Sequence, residues 1–177
     1  LHHDIASALG DQSNRKDWSF TEGDFNKLPC LRAFINESLR LRLNTPVIWR
    51  ESTTPSILLH TAIPRGGTVI TVSIWAKNRS VDEWGQDATD FDPDRWLDDG
   101  IGHARSAFSS MTLGQGPFKC IGELARTQME CVLAVLFVSL IFFSAQKPEV
   151  IDSSQRMITV KVWQGLRVFA QPVERAV

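Results

Sequence analysis

The residues best placed to do chemistry lie in Leu113-Gly114-Gln115-Gly116-Pro117-Phe118-Lys119-Cys120-Ile121-Gly122, a glycine-rich loop that carries a cysteine near its end. Glycine lacks the Cβ that forbids positive φ, so such a loop can turn tightly and bring its backbone close to a ligand. A long apolar stretch with helical spacing begins just behind it, which would set Cys120 near a helix N-terminus, with its unpaired N–H groups and positive dipole end. Such surroundings favour a thiolate over a thiol. The loop therefore suits a sulfur that must stay anionic, as a nucleophile or a metal ligand. Taken alone it equally suits a buried structural cysteine beside a turn. A nucleophile would need a general base. His2, His3, His60 and His103 fall in no recognisable partner motif and are not spaced as zinc ligands.

Two further patterns carry charge. Glu37 and Arg40 stand three apart, and the spacing recurs at Glu123 and Arg126. By itself this reads as an exposed helical ion pair worth about 0.2–0.5 kcal/mol. Phe91-x-Pro93-x-Arg95-Trp96 reads by itself as a packed turn, with Asp92 as N-cap and Pro93 at the first helical position.

The elements that must position these residues follow from periodicity and punctuation. Residues 2–9 read as the end of a helix stopped at Gly10, and 11–19 as a polar loop. Thr21-Glu22-Gly23-Asp24 has the form of a capping box on a helical turn. Pro29 opens a helix to about residue 43, with Leu31, Phe34, Ile35, Ser38 and Leu39 on one face and Glu37 and Arg40 on the other side. Beyond Pro46 the spacing predicts strands over 47–50, 57–61 and 68–74, the last two separated by the turn Pro64-Arg65-Gly66-Gly67. Ser80-Val81-Asp82-Glu83 is a second capping box, on a short helix ending near Gly85. Residues 98–112 form a Gly/Ser-rich meander. A helix then runs from behind Cys120 to about residue 143; its section 131–143 is apolar apart from Ser139 and predicts a buried core helix, because a membrane span needs about 20 apolar residues. Residues 148–155 read as a loop, and 157–163 with 166–171 as a hairpin around Gln164-Gly165.

Composition limits the partners. The chain has 177 residues, 43% of them hydrophobic, enough for one domain with a core. Nineteen basic and 20 acidic residues leave a formal net charge of −1, which gives no support for a nucleic-acid partner or for electrostatic attachment to a membrane. Three cysteines, Cys30, Cys120 and Cys131, lie far apart and include no C-x-x-C pair, so a disulfide framework is not expected. The start, Leu1-His2-His3-Asp4, has neither an initiator Met nor a signal-like apolar run and reads as an internal position of a longer protein.

The order of the motifs is more informative than any one of them. Glu-x-x-Arg, a strand region with Arg50, Phe-x-Pro-x-Arg-Trp, Gly-x-Gly-x-x-x-Cys-x-Gly and then an apolar helix resembles the cytochrome P450 family, the haem-thiolate monooxygenases, over essentially the whole chain. Ile63-Pro64-Arg65-Gly66-Gly67-Thr68-Val69 resembles that family's loop into a sheet, and Trp75-Ala76-Lys77-Asn78-Arg79-Ser80 with Trp84-Gly85 is similar to its fungal microsomal members. The resemblance implies a mainly α fold with small β-sheets (α+β), the C-terminal part of the cytochrome P450 fold, with residues 1–177 a C-terminal fragment of a single domain. It implies haem b (iron protoporphyrin IX) with Cys120 as the axial ligand of the iron, Gly114, Gly116 and Gly122 close to the cofactor, and Arg50 and Lys119 toward its propionates. It implies a structural triad of Glu37, Arg40 and Arg95, and a substrate pocket lined by residues 44–49. The implied partners are a small hydrophobic organic substrate and an NADPH-dependent reductase. The endoplasmic reticulum membrane would be reached through an N-terminal anchor that this segment lacks, as it lacks the distal helix and its catalytic residues. The alternative is a truncated, non-catalytic product that at most binds haem weakly.

Three positions depart from the family pattern. Leu113 stands where Phe usually shields the sulfur, Phe118 where a basic residue usually meets a propionate, and Arg126 where alanine is usual, with Ala125 one place early.

Overall fold

The computed structural model describes residues 2–9, 21–97, 108–146, 154–156, 160–162 and 165–173. Helices α1 (His2–Leu9), α2 (Glu22–Phe25) and α3 (Pro29–Leu41) lead into strand β1 (Val47–Glu51). The hairpin β2 (Ser56–Leu58) and β3 (Thr61–Ile63) follows, then β4 (Val69–Ser73) and the short helices α4 (Ile74–Lys77) and α5 (Val81–Trp84). Two 3-10 turns, Pro93–Trp96 and Gly116–Phe118, precede α6 (Glu123–Ser139). The strands β5 (Leu140–Ser144), β6 (Ser154–Arg156), β7 (Val160–Val162) and β8 (Val168–Pro172) complete the order. The result is α+β, helices with small antiparallel sheets, as the sequence implied.

Helix α3 is the central element. Pro29 lies at its start, where a missing N–H is no loss. One face buries Leu31 and Ile35 against Ile5 of α1 and Ala134 of α6, with Leu133, Phe137 and Val138 packed around them. The opposite face buries Ala33, which shares a cluster with Trp84, Ala88 and Trp96. The one-sided amphipathic pattern expected from sequence is thus incomplete: both faces of α3 are covered, and Glu37 and Arg40 lie inside.

The capping signals at residues 21–24 and 92–96 are realised. The Asp24 carboxylate accepts from the backbone N–H of Thr21 at 3.0 Å and from its hydroxyl at 2.8 Å. The Asp92 side chain accepts from the Asp94 N–H at 3.1 Å. Ser80 is the N-cap of α5 as expected, but its side chain makes no capping hydrogen bond.

The expected single strand over 57–61 is a hairpin, with Ile57 opposite Ala62 and a two-residue turn at Leu59 and His60. A β-branched run reads as one strand, and no Gly or Asn marks its reversal. The helix expected to run to residue 143 ends at Ser139, because Leu140–Ser144 pairs along its backbone with Val168–Pro172; an apolar run of this size has no periodicity that separates helix from strand. The hairpin expected between 157–163 and 166–171 does not form. β8 goes to β5 instead, and Val160–Val162 pairs with Ser154–Arg156, which falls partly in the expected loop. Helix α6 is covered on one side only: Ala134 is fully buried but Val132 is 56% exposed, so it is not the fully buried core helix expected. Gly10, 11–19, most of 98–112 including His103, 147–153, 157–159 and Trp163-Gln164 lie outside the described residues. Among the described residues no helix is long and apolar enough to cross a membrane.

The β2–β3 turn holds two non-glycine residues in the left-handed region, Leu59 at φ 47° and His60 at φ 65°. Both central residues at positive φ are what a two-residue hairpin turn of the Asn-Gly type requires. The double substitution Leu59→Asn, His60→Gly should relieve strain of about 1–2 kcal/mol per residue in part, and raise hydrogen-exchange protection of the paired hairpin amides by about tenfold. Unchanged protection would show that the turn is unstrained.

Candidate functional site

The charged cluster is set by the helical spacing of α3. Glu37 and Arg40 are both 0% exposed and Arg95 is 2% exposed. The pair is therefore not the exposed ion pair that its spacing alone suggests. Arg40 grips the Glu37 carboxylate with a two-pronged fork, Nε to Oε2 and Nη2 to Oε1, each at 2.7 Å. Arg95 Nε donates to Oε1 at 3.2 Å, the Asp92 N–H to Oε1 at 2.9 Å, and the Trp96 indole N–H to Oε2 at 2.9 Å. Arg40 has donors left over, and these go to the carbonyls of Asn78 at 2.7 Å, Ala88 at 2.5 Å and Asp90 at 2.9 Å. Its guanidinium also lies 4.9 Å from the Trp84 ring centroid, and Trp84 packs on Trp96 with centroids 5.5 Å apart. Arg95 Nη2 reaches the Asp87 carboxylate at 2.8 Å.

These contacts decide the charge states. Burial pushes the Glu37 carboxyl up, but the hydrogen bonds from Arg40, Trp96 and the Asp92 amide, with the Arg40 charge, outweigh it and hold the group below its ordinary value. The hydrogen bond from Arg95 lowers Asp87. Burial works against the charge on Arg95, yet Asp87 and Glu37 together hold it more firmly protonated than usual.

The cysteine loop is hinged on glycines. Gly114 and Gly116 take φ of 72° and 71°, a conformation that side chains with a Cβ rarely adopt. The Cys120 N–H closes the loop onto the Leu113 carbonyl at 2.7 Å, and the Gly122 N–H donates to Cys120 Sγ at 3.2 Å. A Cβ at Gly122 would stand 3.1 Å from that sulfur, so glycine leaves it room. Cys120 is exposed, whereas Cys30 and Cys131 are half-buried. Helix α6 starts at Glu123, and Gly122 is its N-cap.

The remaining sequence-derived positions are not drawn into this site. Arg50 is exposed on β1 and donates to the Trp49 carbonyl at 2.8 Å. Lys119 is exposed beside Cys120. In segment 44–49 Pro46 to Ile48 are half-buried and Trp49 is exposed. Leu113 is half-buried, and Ala125 is exposed at the start of α6. Arg126 turns to Glu130, Nε to Oε1 at 3.9 Å, and Arg32 of α3 reaches the same oxygen at 3.6 Å. The buried Glu130, which faces Arg126 one turn back on α6 and Arg32 on α3, was missed from sequence because it stands at the polar edge of the apolar section and its partner on α3 lies far along the chain.

The Cys120 sulfur stands open to solvent on a glycine-hinged loop. Among the described residues no group of three or more His, Cys, Asp or Glu gathers to chelate a bare ion. A single cysteine can serve a metal that brings its other ligands with it, as iron does in haem. Comparison with known proteins gives the class its name. The family model for Cytochrome P450 matches residues 1–163, and the chain belongs to that family. It is 33% identical over 147 residues to Cytochrome P450 monooxygenase buaD of Petromyces alliaceus, covering 76% of this chain and 27% of that protein. It is 31% identical over 172 residues to Alkane hydroxylase MAH1 of Arabidopsis thaliana, covering 94% of this chain and 33% of that protein. Against Protein LUTEIN DEFICIENT 5, chloroplastic, of Arabidopsis thaliana it is 36% identical over 126 residues, 70% of this chain and 20% of that protein. The chain thus spans about a third or less of the curated relatives it matches.

Glu37→Ala should destabilise the protein by about 3–5 kcal/mol, because it strands two buried guanidinium groups. The loss should be strongly non-additive with Arg95→Ala in a double-mutant cycle; additive losses would show that the two side chains are not coupled. Since the folded Glu37 carboxyl is held below its ordinary value of 4.5, its contribution is full above that pH and is lost as pH falls toward the folded value. Glu37→Gln should therefore flatten the acid limb of stability against pH below about 4.5. A parallel acid limb in the variant would count against a buried, ionised Glu37.

Proposed function

We propose that this chain is the C-terminal, proximal portion of a haem-thiolate monooxygenase that oxidises a small hydrophobic organic substrate with O₂ and electrons from an NADPH-dependent reductase. The observation that carries the proposal is the Cys120 sulfur, exposed, backed by the Gly122 N–H at 3.2 Å and borne on a loop with two positive-φ glycines. In this reading Cys120 would hold the iron of haem b through its sulfur. The chemistry that bound haem supplies is reductive cleavage of O₂, which an axial thiolate favours. The chain's own residues bind and orient. The Gly122 N–H tempers the donor strength of the sulfur by hydrogen bonding. Gly114 and Gly116 let the loop backbone lie close to the macrocycle. Arg50 and Lys119 serve the propionates, an Arg fork being suited to a carboxylate, and Lys119 takes over from the usual basic residue replaced by Phe118. Glu37, Arg40 and Arg95 brace the meander behind the loop. Segment 44–49, with Trp49 exposed, offers apolar surface to substrate. In this reading proton-donating residues on a distal helix, and an N-terminal anchor to the endoplasmic reticulum membrane, would be supplied by upstream parts of the full-length protein.

In a longer protein, upstream residues would cover apolar surface that this segment leaves open. Val132 and Leu124 on α6, Ile141 and Phe143 on β5 and Phe169 on β8 are all exposed, and patches of this kind favour aggregation.

In the haem-loaded full-length protein, the ferrous–CO complex should show the strongly red-shifted Soret band of thiolate ligation. Cys120→Ser should abolish it and Cys131→Ser should leave it intact. A band that survives in Cys120→Ser would sink the assignment. The 177 residues expressed alone should give no reductase-dependent product and should aggregate, while an extension carrying the distal helix restores folding and turnover. Sustained, Cys120-dependent product formation by the isolated chain would overturn the division of labour proposed here.

A further inference from the structure

Two residues outside the charged cluster and the cysteine loop connect them. Asn78 is fully buried. Its Nδ2 donates to the carbonyl of Arg40 at 3.0 Å and to Thr112 Oγ1 at 2.9 Å. A carbonyl can only accept, so it is the amide nitrogen of Asn78 that faces α3. Thr112 Oγ1, having accepted that bond, donates its own proton to the Leu39 carbonyl at 3.3 Å. Leu39 and Arg40 belong to the last turn of α3, where carbonyls lack intrahelical partners. Asn78 and Thr112 thus satisfy the buried end of the helix that carries Glu37. The Asn78 carbonyl in turn receives Arg40 Nη1 at 2.7 Å.

The other end of this chain of bonds is the cysteine. Thr112 is followed directly by Leu113, whose carbonyl accepts the Cys120 N–H at 2.7 Å. Ser109, fully buried, bonds to the Glu83 carboxylate, which pairs with Lys77 at 2.9 Å, so the same stretch is also anchored to α4 and α5. Asn78 Oδ1 is buried and has no hydrogen-bond partner among the described residues. Leaving that oxygen unpaired is costly, which argues that the amide is held for its two donated bonds rather than for its own satisfaction.

We propose that Asn78 and Thr112 are positioning residues that pass the fixed geometry of the Glu37–Arg40 cluster to the Cys120 sulfur and set the orientation in which it meets its metal. The part of this proposal that concerns the metal rests on the haem-thiolate reading above; the part that concerns the loop does not. Thr112→Val removes the hydroxyl at nearly constant shape, whereas Thr112→Ser keeps it. A role confined to packing would be satisfied by valine; the relay needs serine or threonine.

The test uses the haem-loaded full-length protein and two readouts. Thr112→Val should speed hydrogen exchange at the Cys120 amide about five- to tenfold, the loss expected from one buried hydrogen bond. It should also shift part of the ferrous–CO absorbance away from the thiolate-type band. Thr112→Ser should restore both, and Asn78→Ala should reproduce the valine effects where it folds. Wild-type exchange and spectrum in Thr112→Val, or equal damage in Thr112→Ser, would overturn the proposal. If the unsubstituted protein lacks the thiolate-type band, it is the haem reading that fails, and the exchange measurement still decides the loop coupling.

Discussion

The packing around α3 hangs on one buried carboxylate. Glu37 has no exposure to solvent, and an ionised carboxylate in such a place is tolerable only if it is neutralised and fully hydrogen-bonded. The chain meets that requirement by bringing donors from the 3-10 turn at Pro93–Trp96 to α3: the Asp92 amide, Arg95 and Trp96. Satisfying Arg40 imposes a second demand, met by the carbonyls of Asn78, Ala88 and Asp90. Segments that share little regular structure are thereby fixed to one helix by electrostatics and geometry rather than by a sheet or a large apolar core.

The cysteine loop benefits from this arrangement without belonging to it. Its internal bonds include Leu113 to Cys120, Gly116 to Lys119, Met111 to Gly114, Ser110 to Gln115 and Gly122 to the Cys120 sulfur. One end enters α6, whose Leu133, Phe137 and Val138 pack on the core shared with α1 and α3, and the other leaves the meander stretch anchored through Thr112 and Ser109. Both ends are thus referred to α3, one by apolar contact and one by hydrogen bonds.

What the residues reveal without coordinates divides along the range of the interaction. Helix starts at Thr21, Pro29 and Asp92 were legible because a cap is a local bond between neighbours. The cysteine loop was legible because glycine spacing is local too. The reversal at Leu59-His60 was not, since it is imposed by the pairing of Ser56–Leu58 with Thr61–Ile63 and carries neither Gly nor Asn to mark it. The change from helix to strand at Leu140 was hidden because its cause is β8, more than 25 residues further on. The Glu37–Arg40 pair shows the limit most plainly. Its spacing states that the two can touch, but its burial depends on Trp84, Ala88 and Trp96 arriving from far along the chain, and only the order of motifs across the whole sequence pointed there.

The excursion between β1 and β4 has a consequence for how this chain can diversify. The two strands pair directly, from Val47 opposite Ser73 to Glu51 opposite Val69. The neck of the excursion is sealed by the Gly66 N–H on the Ser52 carbonyl at 2.8 Å and the Gly67 N–H on the Glu51 carboxylate at 2.6 Å. Beyond that seal, residues 53–62 are exposed throughout. Insertions, deletions or wholesale replacement of the hairpin leave the ladder and the buried charges behind it untouched. The fold thus offers evolution a stretch of surface that can be rewritten in length and character while the framework around α3 stays fixed.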